Sequence, residues 1–207
     1  MIRNKLVPTL SLAAGCLFSA ATLGQSGTDV YAGDWPDYNG NMQAQRYSPL
    51  DQITADNVAN LELAWRFSTA GFGPSTDFNN PSTPLEIDGV LYANVGSTRN
   101  VVALDATTGQ VLWMWRPQEG ERFDNAPRKG AGRGPAFWRD GDTKRVIDIT
   151  PGFFLVSLDA ETGIPDATFG NNGRVDLFDG LRNSEGFDDI DIGSSAPPFI
   201  MNDVVVV

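Results

Sequence analysis

The residue types in this chain first limit the chemistry that it could perform. The 207 residues include no histidine and one cysteine, Cys16. Ser-His-Asp triads, imidazole general bases and HExxH zinc sites are therefore excluded. Any chemistry must come from carboxylates, from a bound cofactor, or from residues beyond Val207.

The segment GAGRGP offers one cation in a setting that suits a ligand. Glycines flank Arg133 on both sides and let the backbone approach a ligand closely. A guanidinium binds a carboxylate through two parallel hydrogen bonds. The alternative is a surface arginine in a flexible loop. A nucleotide-phosphate loop is not supported, because GAGRG follows no clear strand and opens no helix.

A second polar motif, DDIDIG at residues 188–193, echoes the start of a calcium loop. No glutamate follows at the distance that such a loop requires. We therefore interpret this segment as a solvated loop.

The N-terminal segment, residues 1–24, has the pattern of a secretory signal peptide. Arg3 and Lys5 precede an apolar run at 6–23 with small residues near its end. A membrane anchor is the alternative, but polar residues and a proline interrupt a run barely long enough to span a bilayer. Cys16 lies in LAAGC, which resembles a lipoprotein box. If cleavage falls later, the mature protein has no cysteine, and disulfides and thiolate metal sites are excluded.

The charge balance excludes one class of partner. The chain carries a formal charge of -11, which becomes -13 once Arg3 and Lys5 are removed. A surface this acidic repels phosphate backbones and provides no basic patch. We expect no nucleic-acid partner.

The elements that position these residues form an internal repeat. The stretch VVALDATTGQVLWMW at 101–115 returns as LVSLDAETGIPDATF at 155–169, and STPLEIDGVLYA at 82–93 returns as APPFIMNDVVVV at 196–207. The pattern predicts a unit of strand, turn, strand, turn, strand every 55 residues or so. Only residues 54–61 look helical, with Thr54 as N-cap. Strands are predicted at 61–67, 90–94, 101–104, 111–115, 145–149, 153–158 and 204–207.

Such a period of antiparallel strands indicates an all-β protein of the β-propeller class. A β-helix needs a shorter period, and a sandwich does not repeat its turns in sequence. A propeller closes its ring to remove free strand edges. This chain holds two to three blades and ends within a strand, so we expect it to be the N-terminal part of a longer protein. If the chain were itself the natural product, open edges would favour aggregation.

The segment ALDATTGQVLW resembles the tryptophan-docking motif of the pyrroloquinoline quinone (PQQ) dependent dehydrogenases. The resemblance assigns Asp105, Thr108 and Gly109 to the turn and Trp113 to the seam between blades. It extends over residues 33–207, with GDWPDYNGNMQAQRYSPLDQI similar to the family's N-terminal segment and LELAWRF similar to its first inward strand. The second repeat departs from the motif, with Ala167 at the tryptophan position.

The resemblance implies an eight-bladed propeller preceded by a leading segment at 25–54, with residues 55–207 forming its first blades. RGPAFW resembles the stretch whose arginine contacts a PQQ carboxylate, which is Arg133 here. Ser195 in GSSAPP matches a hydroxyl that hydrogen-bonds the cofactor, with Ser194 as a weaker candidate and strand capping as the alternative role. Asn80, or Asn79, could stand against the quinone plane.

The resemblance also implies the reaction, which is oxidation of an alcohol or sugar hydroxyl with PQQ as hydride acceptor and Ca²⁺ as Lewis acid. GIPDATFGNNGRVDL is similar to an insertion of the glucose and alcohol dehydrogenase branches. One subgroup carries a vicinal disulfide where Pro127 and Arg128 stand here, so methanol is a poor candidate substrate.

The remaining implications concern what lies outside this chain. The family's catalytic Asp and Ca²⁺ ligands are expected beyond Val207, so we assign no catalytic and no metal residue here. A cytochrome c or membrane quinone is expected to accept the electrons, and the signal peptide implies a periplasmic location. The alternative is a non-enzymatic propeller, such as a scaffold of outer-membrane protein assembly, although a scaffold has no use for an arginine directed at the ring axis.

Overall fold

A computed structural model describes residues 33–75, 77, 79–182, 186 and 192–207 of the chain. The predicted signal peptide, Cys16 and most of the DDIDIG segment lie outside these residues. Within the described part of the chain, no helix is long and apolar enough to cross a membrane.

Two four-stranded antiparallel sheets and one hairpin follow one another along the chain, and each sheet has its strands in sequence order. We name the sheets blade 1 and blade 2, and the third unit the blade 3 hairpin. Blade 1 comprises β1 (Leu85–Ile87), β2 (Val90–Val95), β3 (Asn100–Asp105) and β4 (Val111–Trp115). Blade 2 comprises β5 (Ala136–Asp140), β6 (Thr143–Ile149), β7 (Phe154–Asp159) and β8 (Arg174–Asp176). The hairpin comprises β9 (Phe199–Met201) and β10 (Val204–Val206).

This architecture confirms the all-β prediction and the predicted strands at 90–94, 101–104, 111–115, 145–149, 153–158 and 204–207, with bounds that shift by up to two residues. The repeating unit has four strands, one more than the sequence predicted. The four-stranded unit is the usual propeller blade.

Two predicted elements at the N-terminal side were wrong. Residues 61–67 form no strand, because no described segment pairs with their backbone. The helix predicted at 54–61 shrinks to one 3-10 turn, Val58–Asn60, whose N-cap position is Asn57 rather than Thr54. A short helix α1 (Glu121–Asn125) was not predicted; it lies between the two blades in sequence.

The core consists of layers between successive blades. One face of blade 1 packs on blade 2, and this layer contains the buried side chains of Leu85, Tyr92, Trp113, Val146 and Leu158. A second layer covers the opposite face of blade 1 with two phenylalanines from the segment before it, Phe67 and Phe72. A third lies between blade 2 and the blade 3 hairpin. Each blade is thus stabilised mainly by burial against its neighbours.

The DxxTG motif forms the same turn in both blades. The carboxylate of Asp105 accepts hydrogen bonds from the backbone N–H groups of Thr107 and Thr108 and from the Thr108 hydroxyl. Asp159 does the same in blade 2, with Thr162 as its hydroxyl partner. The motif therefore specifies a self-contained turn through local hydrogen bonds.

A tryptophan then docks on each of these turns. The Trp113 indole of blade 1 donates a 2.9 Å hydrogen bond to the Ala160 carbonyl in blade 2, and its ring lies against Gly163, where a Cβ atom would come within 2.5 Å of the ring. The predicted placement of Trp113 in the seam between blades is confirmed. Trp65, in the segment predicted as a strand, docks in the same way on the Ala106 carbonyl and Gly109.

Candidate cofactor-binding site

The segments that lead into β1, β5 and β9 lie side by side and bring the predicted site residues together. The backbone N–H of Thr83 donates a 2.9 Å hydrogen bond to the carbonyl of Arg133. The N–H of Arg133 in turn donates a 3.0 Å bond to the carbonyl of Ser195. Arg133 therefore stands between the first segment of blade 1 and that of the blade 3 hairpin.

The glycines around Arg133 have a different reason from the one that the sequence suggested. Gly132 and Gly134 have φ values of +67° and +124°, in the region that favours glycine. A Cβ atom on Gly132 would lie 3.1 Å from Nε of Arg99, and one on Gly134 would lie 2.7 Å from the Thr83 carbonyl oxygen. The close approach is thus to the chain's own groups, and it fixes the position of the loop.

The side chain of Arg133 points away from this packed backbone. Arg133 is exposed, and its guanidinium has no hydrogen-bond or ion-pair partner among the described residues. Its neighbours at positions 131, 132, 134 and 135 are buried. An ordered backbone therefore presents a cation that no described residue pairs with, which suits a site for an anionic ligand.

Ser194 and Ser195 differ in what their hydroxyls do. The Ser194 hydroxyl oxygen accepts a 3.2 Å hydrogen bond from the Ala196 N–H, which occupies it in a local turn. Ser195 is half-buried, and its hydroxyl has no partner among the described residues. Ser195 is the better placed of the two to donate a hydrogen bond to a ligand.

Asn80 and Asn79 lie at the start of the segment that leads into β1, and both are exposed. The Asn80 side-chain carbonyl accepts a 3.0 Å hydrogen bond from the N–H of Ser82, so its NH₂ group remains for another acceptor. Three residues further on, Thr83 contacts the Arg133 carbonyl. Asn80, Arg133 and Ser195 therefore belong to three adjacent segments.

A buried arginine beneath these segments was not predicted from the sequence. Arg99, in the turn between β2 and β3, is 1% exposed. Its guanidinium donates to four backbone carbonyls, those of Arg128, Gly130, Ile149 and Ser194, at 2.7 to 2.9 Å. Burial lowers the pKa of Arg99, and the nearby carboxyl groups of Asp148 and Glu119 counter that shift.

Beside Arg99 lies a buried polar pair, Asn94 and Asp148. The Asn94 side chain donates a 2.7 Å hydrogen bond to the carboxyl group of Asp148, and both residues are nearly inaccessible. Burial raises the pKa of Asp148 to about 7, although Arg99 and the bond from Asn94 act to lower it. The signal in the sequence was a polar residue inside each of two apolar strands at the same repeat position.

These groups define what the site could bind. A guanidinium, a hydroxyl and an amide on adjacent segments suit a rigid ligand that carries several carboxylates or carbonyls. Within the part of the chain that the structure describes, no three acidic, His or Cys side chains are grouped as a metal site. A separate cleft of about 590 Å³, near Trp115, Glu119 and Arg174, contains none of the three predicted residues.

The fold and this group of residues define a β-propeller with a candidate anion-binding site where its first strands begin. The family of PQQ-dependent glucose, ethanol and alcohol dehydrogenase β-propeller domains matches residues 35–207. The chain belongs to that family. The resemblance drawn from its sequence motifs is thereby confirmed.

Relatives within the family include several quinoprotein enzymes. The dehydrogenase subunit of a quinone-dependent alcohol dehydrogenase from Gluconobacter oxydans is 35% identical over 74% of this chain and 21% of its own length. The quinoprotein glucose dehydrogenase of Escherichia coli is 30% identical over 93% of this chain and 25% of its own length.

Solved structures give the same result. The quinohemoprotein alcohol dehydrogenase of Comamonas testosteroni superposes with a TM-score of 0.60 at 28% identity, covering 83% of this chain and 22% of the solved chain. A quinohemoprotein alcohol dehydrogenase from Pseudomonas putida gives a TM-score of 0.63 at 30% identity, covering 84% and 22%. The chain thus spans about a fifth to a quarter of the length of these proteins.

Proposed function

We propose that these residues form the first blades of a periplasmic quinoprotein dehydrogenase, which oxidises an alcohol or sugar hydroxyl with PQQ as the hydride acceptor. One observation carries the proposal: Arg133, a cation without a partner among the described residues, is fixed by backbone hydrogen bonds between Thr83 and Ser195 in a chain of the PQQ family. Membership of the family supports PQQ as the ligand, and the geometry supports Arg133 and Ser195 as its contacts.

The side chains of Arg133, Ser195 and Asn80 fit PQQ, a flat tricarboxylate quinone. Arg133 would bind one of its carboxylates with two parallel hydrogen bonds. The Ser195 hydroxyl and the Asn80 amide would donate hydrogen bonds to its other oxygens. When bound, PQQ supplies a quinone carbonyl carbon that accepts hydride from the substrate.

The described residues contribute position rather than proton transfer. The loop at 128–134 is held by backbone and Arg99 contacts, so its backbone loses little freedom when a ligand binds and only the Arg133 side chain must be ordered. No group at 79–83, 130–135 or 194–196 is a base able to take the hydroxyl proton. We propose that the catalytic Asp and the Ca²⁺ ligands lie beyond Val207.

Location and electron transfer complete the proposal. Residues 1–24 carry the pattern of an export signal, which supports a periplasmic enzyme, and Cys16 within LAAGC would allow lipid attachment instead. A cytochrome c or a membrane quinone would reoxidise the cofactor. A cytochrome acceptor is supported by one relative of solved structure, which is named as a quinohemoprotein alcohol dehydrogenase from Comamonas testosteroni.

Titration of the complete protein with PQQ in the presence of Ca²⁺, followed by calorimetry, tests the proposal. Arg133→Met should raise the Kd about 10- to 100-fold, because it removes a charge-assisted pair. Arg116→Met is the matched control, since it removes an exposed cation of blade 1 outside the three segments. If the unchanged protein does not bind PQQ, the proposal of a dehydrogenase is overturned and the alternative, a non-enzymatic propeller scaffold, is favoured. Equal Kd values for the unchanged protein and Arg133→Met would overturn the role of Arg133.

A further inference from the structure

We propose that Arg99 is a positioning residue for this site, whose buried guanidinium fixes the backbone that presents Arg133 and Ser195. The proposal rests on the proposed function for its ligand, but its structural part concerns this chain alone.

The contacts of Arg99 converge on the segments that present the site. Nε donates to the Gly130 carbonyl at 2.9 Å and one terminal nitrogen donates to the Arg128 carbonyl at 2.9 Å. Both carbonyls belong to the loop that ends at Arg133. The other terminal nitrogen donates to the Ser194 carbonyl at 2.7 Å, directly before Ser195, and to the Ile149 carbonyl at 2.9 Å.

These carbonyls come from parts of the chain that are far apart in sequence and that few backbone hydrogen bonds join. They lie 29, 31, 50 and 95 residues after Arg99 in sequence. One planar group therefore joins the turn of blade 1, the end of β6, the Arg133 loop and the start of the blade 3 hairpin. A buried carbonyl without a hydrogen-bond partner is costly, so loss of the guanidinium would release these segments.

Comparison of the two blades shows that the turn itself does not require an arginine. The residue at the equivalent position of blade 2, 54 residues later, is Phe153. Both residues have a positive φ, +50° for Arg99 and +62° for Phe153. The turn therefore forms with either side chain, and Phe153 packs in an apolar layer. The arginine stands only in the blade 1 turn, next to the segments that carry Arg133 and Ser195.

Two carboxyl groups lie near the charge of Arg99, and that of Asp148 opposes it only when ionised. The carboxyl group of Asp148, at the end of β6, and that of Glu119, before α1, both act on it. Glu119 is itself fixed, because it accepts hydrogen bonds from the Thr150 hydroxyl and from the Gly152 N–H at 2.8 Å. Asp148 is bonded to Asn94. Arg99 is held by its four carbonyl partners, and the two hydrogen-bonded carboxyl groups act on it only through their charge.

Arg99→Lys is the informative change, because lysine keeps the charge but has one nitrogen and cannot serve the same four carbonyls as a planar fork. Arg145→Lys is the matched control. Arg145 is a partly buried arginine of β6 that binds Asp166 and Asp159, away from the three segments. Both variants are made in the complete protein.

Hydrogen exchange without cofactor is the first readout. The N–H of Arg133, which donates to the Ser195 carbonyl, reports directly on the joined segments. We expect Arg99→Lys to raise its exchange rate at least 10-fold, with no change in the β2 and β3 amides, and Arg145→Lys to leave it unchanged. The second readout is the PQQ dissociation constant, which should rise about 10-fold in Arg99→Lys only.

Two results would overturn the proposal. One is an Arg99→Lys protein whose Arg133 amide exchange and PQQ affinity match those of the unchanged protein. The other is an equal loss in both variants with faster exchange throughout the blades, which would mean general destabilisation. If the unchanged protein does not bind PQQ, the proposed function fails, while the exchange data still decide whether Arg99 holds the loop.

A second variant covers the case in which Arg99→Lys does not fold. Gly132→Ala would place a methyl group 3.1 Å from Nε of Arg99 and leave the guanidinium present. We expect the same pattern at a few-fold magnitude. Unchanged Arg133 amide exchange and unchanged PQQ affinity in this variant would count against the proposal.

Discussion

The side chain of Asn94 donates a 2.7 Å hydrogen bond to the carboxyl group of Asp148, and the two residues occupy the same position of successive blades, 54 residues apart. The pair is buried, and the side-chain carbonyl oxygen of Asn94 has no hydrogen-bond partner among the described residues. The seam between the blades therefore contains a polar contact whose strength depends on the protonation state of one carboxyl group.

The contribution of Asp148 to the free energy of unfolding should fall as the pH rises through the range in which this residue ionises. Its pKa in the folded protein is about 7, against an ordinary value of 3.8, so the folded state keeps a proton that the unfolded state loses. Between about pH 4 and pH 7 this group therefore lowers the free energy of unfolding progressively as the pH rises. Well above pH 7, Asp148 is ionised in the folded protein and this stabilising contribution is lost.

Asp148→Asn should remove this dependence, because the substituted amide can still accept the bond from Asn94 and does not titrate. Urea unfolding of both proteins at pH 4, 5.5, 7 and 8 measures the effect as a difference, which cancels the contributions of other groups. The variant should gain stability relative to the unchanged protein as the pH rises. Parallel curves for the two proteins would contradict the raised pKa.

Gly163→Ala should weaken the seam between blades. A Cβ atom at this position would lie 2.5 Å from the ring of Trp113, and the φ of +70° is itself unfavourable for alanine. We expect a loss of about 2 to 4 kcal/mol in unfolding free energy, against about 1 kcal/mol for Gly141→Ala. Gly141 is the control because it has a similar φ, +54°, and open space around it. Similar losses, measured by chemical denaturation, would mean that the docked tryptophan adds nothing.

Ser195→Ala should weaken PQQ binding about 5- to 10-fold, because it removes a hydroxyl without a partner in the described structure. Ser194→Ala should change the affinity less than 2-fold, since that hydroxyl serves a local turn and Arg99 contacts only the carbonyl of the residue. Calorimetric titration of the two variants compares them directly. A larger effect at Ser194 would reverse the assignment.

Asn80→Ala should weaken PQQ binding by a few-fold through loss of its free NH₂ group, whereas Asn79→Ala should have no effect. The Asn80 side-chain carbonyl also supports the N–H of Ser82, so thermal unfolding must be measured beside the affinity. A change in melting temperature without a change in affinity would assign Asn80 to the local turn alone.

The sequence predicted those parts of the fold that local hydrogen bonding and alternation specify. The DxxTG turns satisfy their own polar groups, so Asp105 and Asp159 locate them without knowledge of the rest. Strands in the two blades follow from the spacing of these turns. The predicted strand at 61–67 failed because a strand needs a neighbour, and none is present in the described residues.

Residues of the candidate site could be predicted only where a local sequence motif points to a single residue. Glycines drew attention to Arg133, although the structure shows that they pack against the chain's own groups, and Arg133 lies next to Ser195. Arg99 was missed because its partners are backbone carbonyls, which any sequence would supply, at separations of 29 to 95 residues. Asn94 and Asp148 left a visible pattern, but only the fold shows that they touch.

The docked tryptophans join successive units of the chain by a repeated contact. Trp65 binds a carbonyl 41 residues later, and Trp113 one 47 residues later, so each seam joins a residue to the next turn to be synthesised. These separations are long for a single contact, but they join neighbouring units rather than the two ends of the chain. Each indole thus links its own unit to the turn that comes after it in the chain, so neighbouring units are joined in sequence order.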